Sequence, residues 1–155
     1  MLTLNSNLPN LLVVYAVCTV ATFFAVKFSN FFGANTDEHP PEDTVVLGKL
    51  PPVPADIKRR MRIIMNNLEN VPIELALFWA GFVSVLAQSL GGGGKDEALA
   101  LTVLMTVYTA ARIGFVATYA LSLQPARTIC FATASACAVA AAGVLLSSAS
   151  KAYSL

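Results

Sequence analysis

The chain alternates long apolar stretches with short polar interruptions, and the stretches have the length of membrane crossings. Pro9–Phe32 is the first, with Leu11–Val26 free of charge and Lys27 near its end. A second runs from about residue 70 to 90, a third over 97–121 and a fourth over 125–148. About 20 apolar residues wound as a helix cross a bilayer. This pattern predicts an all-α fold, an integral membrane four-helix bundle occupying the whole chain as one domain.

Between the first two spans lies a polar segment, Gly33–Ala55, whose prolines exclude a regular helix over most of its length. Asp56 is a candidate N-cap for a helix that continues through Pro72 to about Leu90. That helix is longer than a crossing, so its first part projects beyond the hydrocarbon, and residues 33–69 make a loop and helix extension. Gly91–Gly94 marks a flexible turn on the far side, and Ser122–Gln124 a short connection in which Pro125 suits the first turn of the last helix.

Composition agrees with this outline. Of 155 residues, 56% are hydrophobic and only 12% charged, about half the charge of a soluble domain. Met1–Val26 carries no charged side chain, whereas Lys49, Lys58, Arg59, Arg60 and Arg62 cluster after the first span. By the positive-inside bias that loop faces the cytosol and both termini face away from it. Positive charge follows the first apolar run instead of preceding it, which points to a retained span and not a cleaved signal. No basic face on a soluble domain indicates nucleic acid. The three cysteines, Cys18, Cys130 and Cys137, lie in apolar stretches and suggest neither a disulfide framework nor a metal site. His39 stands alone in the polar loop as a solvated side chain.

The charge within the helices is what suggests chemistry. At 100° per residue, Arg59, Arg62, Asn66 and Glu69 fall within about 80° of one another, and Met61, Ile64, Leu68 and Val71 fall opposite. On the third helix Arg112, Phe115 and Tyr119 share an arc of about 60°. An arginine so deep requires a partner inside the protein, Glu69 or Glu74. Lys27, Arg127 in the first turn of helix four, and Tyr119 complete a set of polar groups at the cytosolic ends of all four spans. Each costs desolvation. Taken singly, Arg127 reads as a positive flank and the basic run as a juxtamembrane cluster. Together these groups suit a small zwitterion with more than one carboxylate, and glutathione, with two carboxylates, an ammonium and a thiol, is a candidate of that kind. Arginine forks bind carboxylates, Glu69 the ammonium, and Asn66 either donors or acceptors. One guanidinium remains for the sulfur, and Arg127, where a helix N-terminus adds a favourable dipole, is the candidate. A site between spans would admit the water-soluble thiol from the cytosol and a lipophilic electrophile from the bilayer.

The same residues carry a family likeness. R-I-I-M-N-N-L-E-N-V-P, Arg62–Pro72, resembles R-A-H-x-N-D-L-E-N-x-x-P of the membrane-associated proteins in eicosanoid and glutathione metabolism. A-R-I-G-F-V-A-T-Y, Ala111–Tyr119, resembles that family's third-helix motif, L-Q-P-A-R-T, Leu123–Thr128, its Q-P-x-R turn, and P-E-D, Pro41–Asp43, a P-E-D in its first cytosolic loop. The likeness spans the chain and runs towards the family's microsomal glutathione transferases and prostaglandin E synthases.

The resemblance implies a homotrimer of four-helix protomers in the endoplasmic reticulum or another intracellular membrane, with glutathione held between subunits near the cytosolic face. It implies catalytic roles for Arg127, as the thiolate-stabilising arginine, and for Asp43, which matches an aspartate of the prostaglandin E synthases. Asn66, Glu69 and Tyr119 match glutathione ligands, and Arg62, Arg112 and Thr128 fall in the matching motifs. Lys27 stands where the family has an arginine, Met65 where some members have one, Phe115 where histidine is frequent, and Phe131 where the prostaglandin E synthases have tyrosine. Ile64 replaces the histidine of R-A-H, Asn67 the aspartate of N-D, and one residue is missing between Asn70 and Pro72. The activities implied are transfer of glutathione to lipophilic electrophiles, with lipid hydroperoxide reduction as an accompaniment. The alternatives are isomerisation or conjugation of oxygenated fatty acids, and a non-catalytic lipid-binding scaffold of the same fold.

Overall fold

A computed structural model describes residues 8–34, 55–90 and 93–153 of the chain. Its elements are four helices: α1, Leu8–Ala34; α2, Ala55–Leu90; α3, Lys95–Ala120; and α4, Gln124–Tyr153. All four are long and apolar enough to cross a membrane. The protein is an all-α, multi-pass integral membrane bundle. Most of the loop read between the first two spans, including His39, Asp43 and Lys49, lies outside the described residues. α2 begins at Ala55, one residue ahead of the expected cap at Asp56, and passes through Pro72 without ending.

α2 and α3 form the centre. Among the described residues α1 packs on both of them and α4 packs on both of them, while α1 and α4 do not meet. The interior is aromatic between α1 and α2, where the rings of Tyr15 and Trp79 meet edge-on at 5.7 Å and those of Tyr15 and Phe82 lie 5.1 Å apart. Phe78 and Tyr108 join α2 to α3 at 5.0 Å. Against α4 the filling is small: Ala134, Ala138 and Ala141 are buried, and their 4–3 spacing keeps them on one stripe. Small residues let helix backbones approach where lipid offers no hydrophobic drive to association. Gly81 serves a close approach of α2 to α3, since a Cβ there would meet the Leu101 side chain at 3.3 Å.

Polar side chains tie α1 to the centre. The Asn67 amide donates to Ser29 Oγ at 2.9 Å, and Ser29 Oγ donates on to the Val26 carbonyl at 2.7 Å. Trp79 Nε1 donates to Thr19 Oγ1 at 3.2 Å, and Thr22 and Thr109 hydroxyls are 3.3 Å apart. In hydrocarbon a polar group needs such a partner, so these residues fix the rotation of each helix.

The inward stripe of α2 runs through Ile63, Asn67, Val71, Glu74, Phe78, Phe82 and Val85. Of the four apolar residues opposite the Arg62 face, Val71 is buried and Ile64 half-buried, while Met61 and Leu68 are 40% and 53% exposed. Hydrophobicity alone does not choose the inward side when the outside is lipid. Asn67 and Glu74 choose it, because only the interior offers them partners.

Candidate functional site

One end of the bundle holds a groove of about 510 Å³ between α2, α3 and α4. Met61, Arg62, Met65, Asn66 and Glu69 of α2 form one wall. Phe115 and Tyr119 of α3 face Arg127, Thr128 and Phe131 of α4 across it. Helical periodicity accounts for each wall: positions 62, 65, 66 and 69, then 115 and 119, then 127, 128 and 131, are spaced by three and four residues. The α3–α4 connection is only three residues long. It brings the end of α3 against the first turn of α4, so Tyr119 and Arg127 meet although eight positions separate them.

The floor is aromatic. Phe115 packs edge-on to Tyr119 at 5.4 Å and lies 6.0 Å from Phe131. The Arg127 guanidinium stacks over the Tyr119 ring with its carbon 4.6 Å from the ring centre. Its Nη2 also donates to Gln124 Oε1, one turn back on the same helix. Arg127 is half-buried and Tyr119 buried, so the cation rests on a face that cannot hydrate it fully. Such a stack contributes roughly 0.5–2 kcal/mol, rising as water is excluded. Arg62 and Glu69 line the wall as exposed side chains, and Asn66 is half-buried.

Behind the floor, and outside the groove lining, lies Arg112. It is 1% exposed and forms an ion pair with Glu74. The Tyr108 hydroxyl donates to the same carboxylate at 3.0 Å, and Ser135 Oγ donates to its other oxygen at 3.5 Å. The Arg112 guanidinium is boxed by the rings of Tyr108, Phe115 and Phe131 at 5.6–6.0 Å. Its Nη1 donates to Asn66 Oδ1 at 3.4 Å.

The residues singled out from sequence therefore divide. Arg62, Met65, Asn66, Glu69, Phe115, Tyr119, Arg127, Thr128 and Phe131 line one groove. Arg112 does not line it, because Glu74 and the aromatic box hold its guanidinium behind the floor. Lys27 does not line it either: α1 carries it on an exposed face, with its ammonium 5.4 Å from the Phe23 ring centre. Asp43, and the side chain of Arg59 that shares the Arg62 face, lie outside the described residues. Of the two carboxylates offered for Arg112, Glu74 is the partner and Glu69 is not.

Sequence reasoning missed Met61 as a wall residue, Gln124 as a partner of Arg127 and Ser135 as a partner of Glu74. Two of these were legible as spacing. Gln124 is three residues before Arg127, and Ser135 is four after Phe131 on the same face of α4.

Arg62 and Arg127 give the groove two guanidinium groups and Glu69 one carboxylate, above the aromatic floor of Phe115, Tyr119 and Phe131. Searches of curated proteins and of solved structures find no match for the chain. The model of the MAPEG family, the family whose motifs the chain resembles, matches residues 6–147, and the chain belongs to that family.

Proposed function

We propose that this protein is a membrane glutathione transferase in which Arg127 stabilises the thiolate of bound glutathione. The observation that carries the reading is that Arg127, stacked on Tyr119, shares a single groove with Arg62, Asn66 and Glu69. In this reading Arg62 takes a carboxylate, Glu69 the ammonium, and Asn66 a further polar group, while Phe115, Tyr119, Thr128 and Phe131 shape the space around the sulfur. The chemistry that glutathione supplies is a thiolate nucleophile. A free thiol has a pKa of about 8.5, and lowering it by two units takes about 2.7 kcal/mol of preferential thiolate stabilisation. One guanidinium at a half-buried site supplies that order of energy.

The groove opens at the bundle surface, with Met61 and Met65 at its edge and Leu68 nearby, all substantially exposed. A neighbouring copy in a homotrimer would cover them and close the groove, and would bring a Lys27 from outside the protomer. The second substrate is a lipophilic electrophile arriving through the bilayer of an intracellular membrane. Asp43 would act from the first loop.

The test is Arg127→Ala in the purified protein. Loss of the ultraviolet absorbance of bound thiolate, with loss of conjugation of a model electrophile, is the expected result. Retention of both removes the role from Arg127. Parallel assays with a generic electrophile and with a lipid endoperoxide or epoxide separate a transferase from a fatty-acid isomerase or conjugating enzyme. A scaffold would bind no glutathione at millimolar concentration.

A further inference from the structure

Arg112 is the largest side chain fully enclosed by the bundle. A structural ion pair would be complete with Glu74 alone, but this one extends outward: Nη1 reaches Asn66, which lines the groove, at 3.4 Å. A guanidinium carries five N–H donors and no acceptor. Whatever Asn66 turns towards Arg112 must therefore be its oxygen, which leaves the amide NH2 as the end free for another partner. The two ends of an asparagine amide have opposite hydrogen-bonding character and nearly equal shape, so the network around the side chain decides which one a ligand meets.

The rest of the network holds Arg112 still. Glu74 is anchored by the Tyr108 hydroxyl at 3.0 Å and by Ser135 at 3.5 Å, so α2, α3 and α4 all fix the carboxylate. Phe115 and Phe131 separate the guanidinium from the groove on the sides where it would otherwise reach a ligand.

We infer that the Arg112–Glu74 pair is a positioning device: it captures the Asn66 carbonyl oxygen and so presents the Asn66 NH2 to the groove as a donor for an anionic group of the ligand. Arg112 acts through Asn66 and is not itself a ligand. The assignment rests on the reading that glutathione binds in the groove, and there the anion is one of its carboxylates. It makes the α2 wall selective for an acceptor at Asn66, with Glu69 left to meet the ammonium.

The experiment is a binding cycle in the full-length, detergent-solubilised protein. The dissociation constant of glutathione is measured for the wild type, for Asn66→Ala, for the paired change Arg112→Met with Glu74→Gln, and for the combination. The paired change removes both buried charges together, so neither is left uncompensated. Each step is expected to weaken binding about tenfold, the order of one hydrogen bond to a charged group. The combination is expected to remain at about tenfold, because both steps remove the same contact. The thiolate absorbance of bound glutathione should stay in place throughout, since Arg127 is untouched.

A combination near a hundredfold, or a paired change that binds like the wild type, overturns the inference. Should the paired change fail to fold, Asn66→Asp keeps shape, Arg112 and Glu74 but removes the donor. It is expected to weaken binding at least tenfold, and undiminished affinity overturns the inference. A wild type that binds no glutathione would instead defeat the function proposed above, and this assignment with it.

Discussion

Glu74 accepts from Arg112 inside a span, where Arg112 is 1% and Glu74 7% exposed. Two opposite charges at membrane depth are tolerated because they pair with each other and because Tyr108 and Ser135 also donate to the carboxylate. Removing one partner leaves a charge with neither water nor counterion. Arg112→Met and Glu74→Gln are each expected to destabilise the bundle by about 3–5 kcal/mol, whereas the two combined should cost far less than their sum. Thermal unfolding in detergent of the four proteins checks this. Additive losses would show that the pair is not coupled.

The Tyr119 ring is a platform for Arg127 at 4.6 Å. Tyr119→Phe keeps the aromatic face and should leave the Arg127 guanidinium in position. Tyr119→Leu keeps bulk and burial but removes the ring. With a stack contributing roughly 0.5–2 kcal/mol, the leucine variant is expected to lose about 2- to 30-fold in kcat/KM with a model electrophile. It should also raise the pKa of bound glutathione relative to the phenylalanine variant. Equal behaviour of the two variants would assign Tyr119 a packing role alone.

Much of this was legible in the chain, for physical reasons that differ by feature. Bilayer thickness sets span length, so the four helices follow from runs of apolar residues. The groove follows from helical spacing, because 62, 66 and 69, or 115 and 119, can share a face only in one winding. The rotation of α2 was legible only in part: a carboxylate inside an apolar stretch marks Glu74 as inward, and it is 7% exposed, whereas nothing in the chain sets Asn67, 1% exposed, apart from the exposed Met61 and Leu68. Outside a membrane, apolarity marks the interior. Within one it does not, and the inward side is set by contacts between helices that no single segment displays. The same holds for Lys27 and Arg112. The chain offered both as members of one polar set, but α1 carries Lys27 on an exposed face and Glu74 pairs with Arg112 behind the floor.

The entry to α3 depends on Gly94, whose φ of +83° is left-handed. A non-glycine residue in that conformation costs about 1–2 kcal/mol. A Cβ there would also stand 3.3 Å from the Val85 carbonyl and from Gln88 Oε1. Gly94→Ala is therefore expected to lower stability by at least about 1 kcal/mol, read as a fall in the midpoint of thermal unfolding. Glutathione binding should be unaffected, because the turn lies at the far end of α2 and α3 from the groove. A loss of binding at unchanged stability would contradict this separation.

Neighbouring asparagines on α2 do different work, and substitution should separate them. Asn66 lines the groove, whereas Asn67 is turned inward, where its NH2 donates to Ser29 Oγ and clasps α1 to α2. Asn67→Ala leaves a buried hydroxyl with one partner fewer and opens a small void beside it. It is expected to cost about 1–3 kcal/mol of stability, with the affinity for glutathione at its wild-type value. Asn66→Ala should do the reverse, weakening binding about tenfold with a smaller effect on unfolding. The two variants share composition, helix and depth to within one position, so a global loosening of α2 would move both measurements in both proteins. The crossed pattern requires that position 66 face the ligand and position 67 face α1.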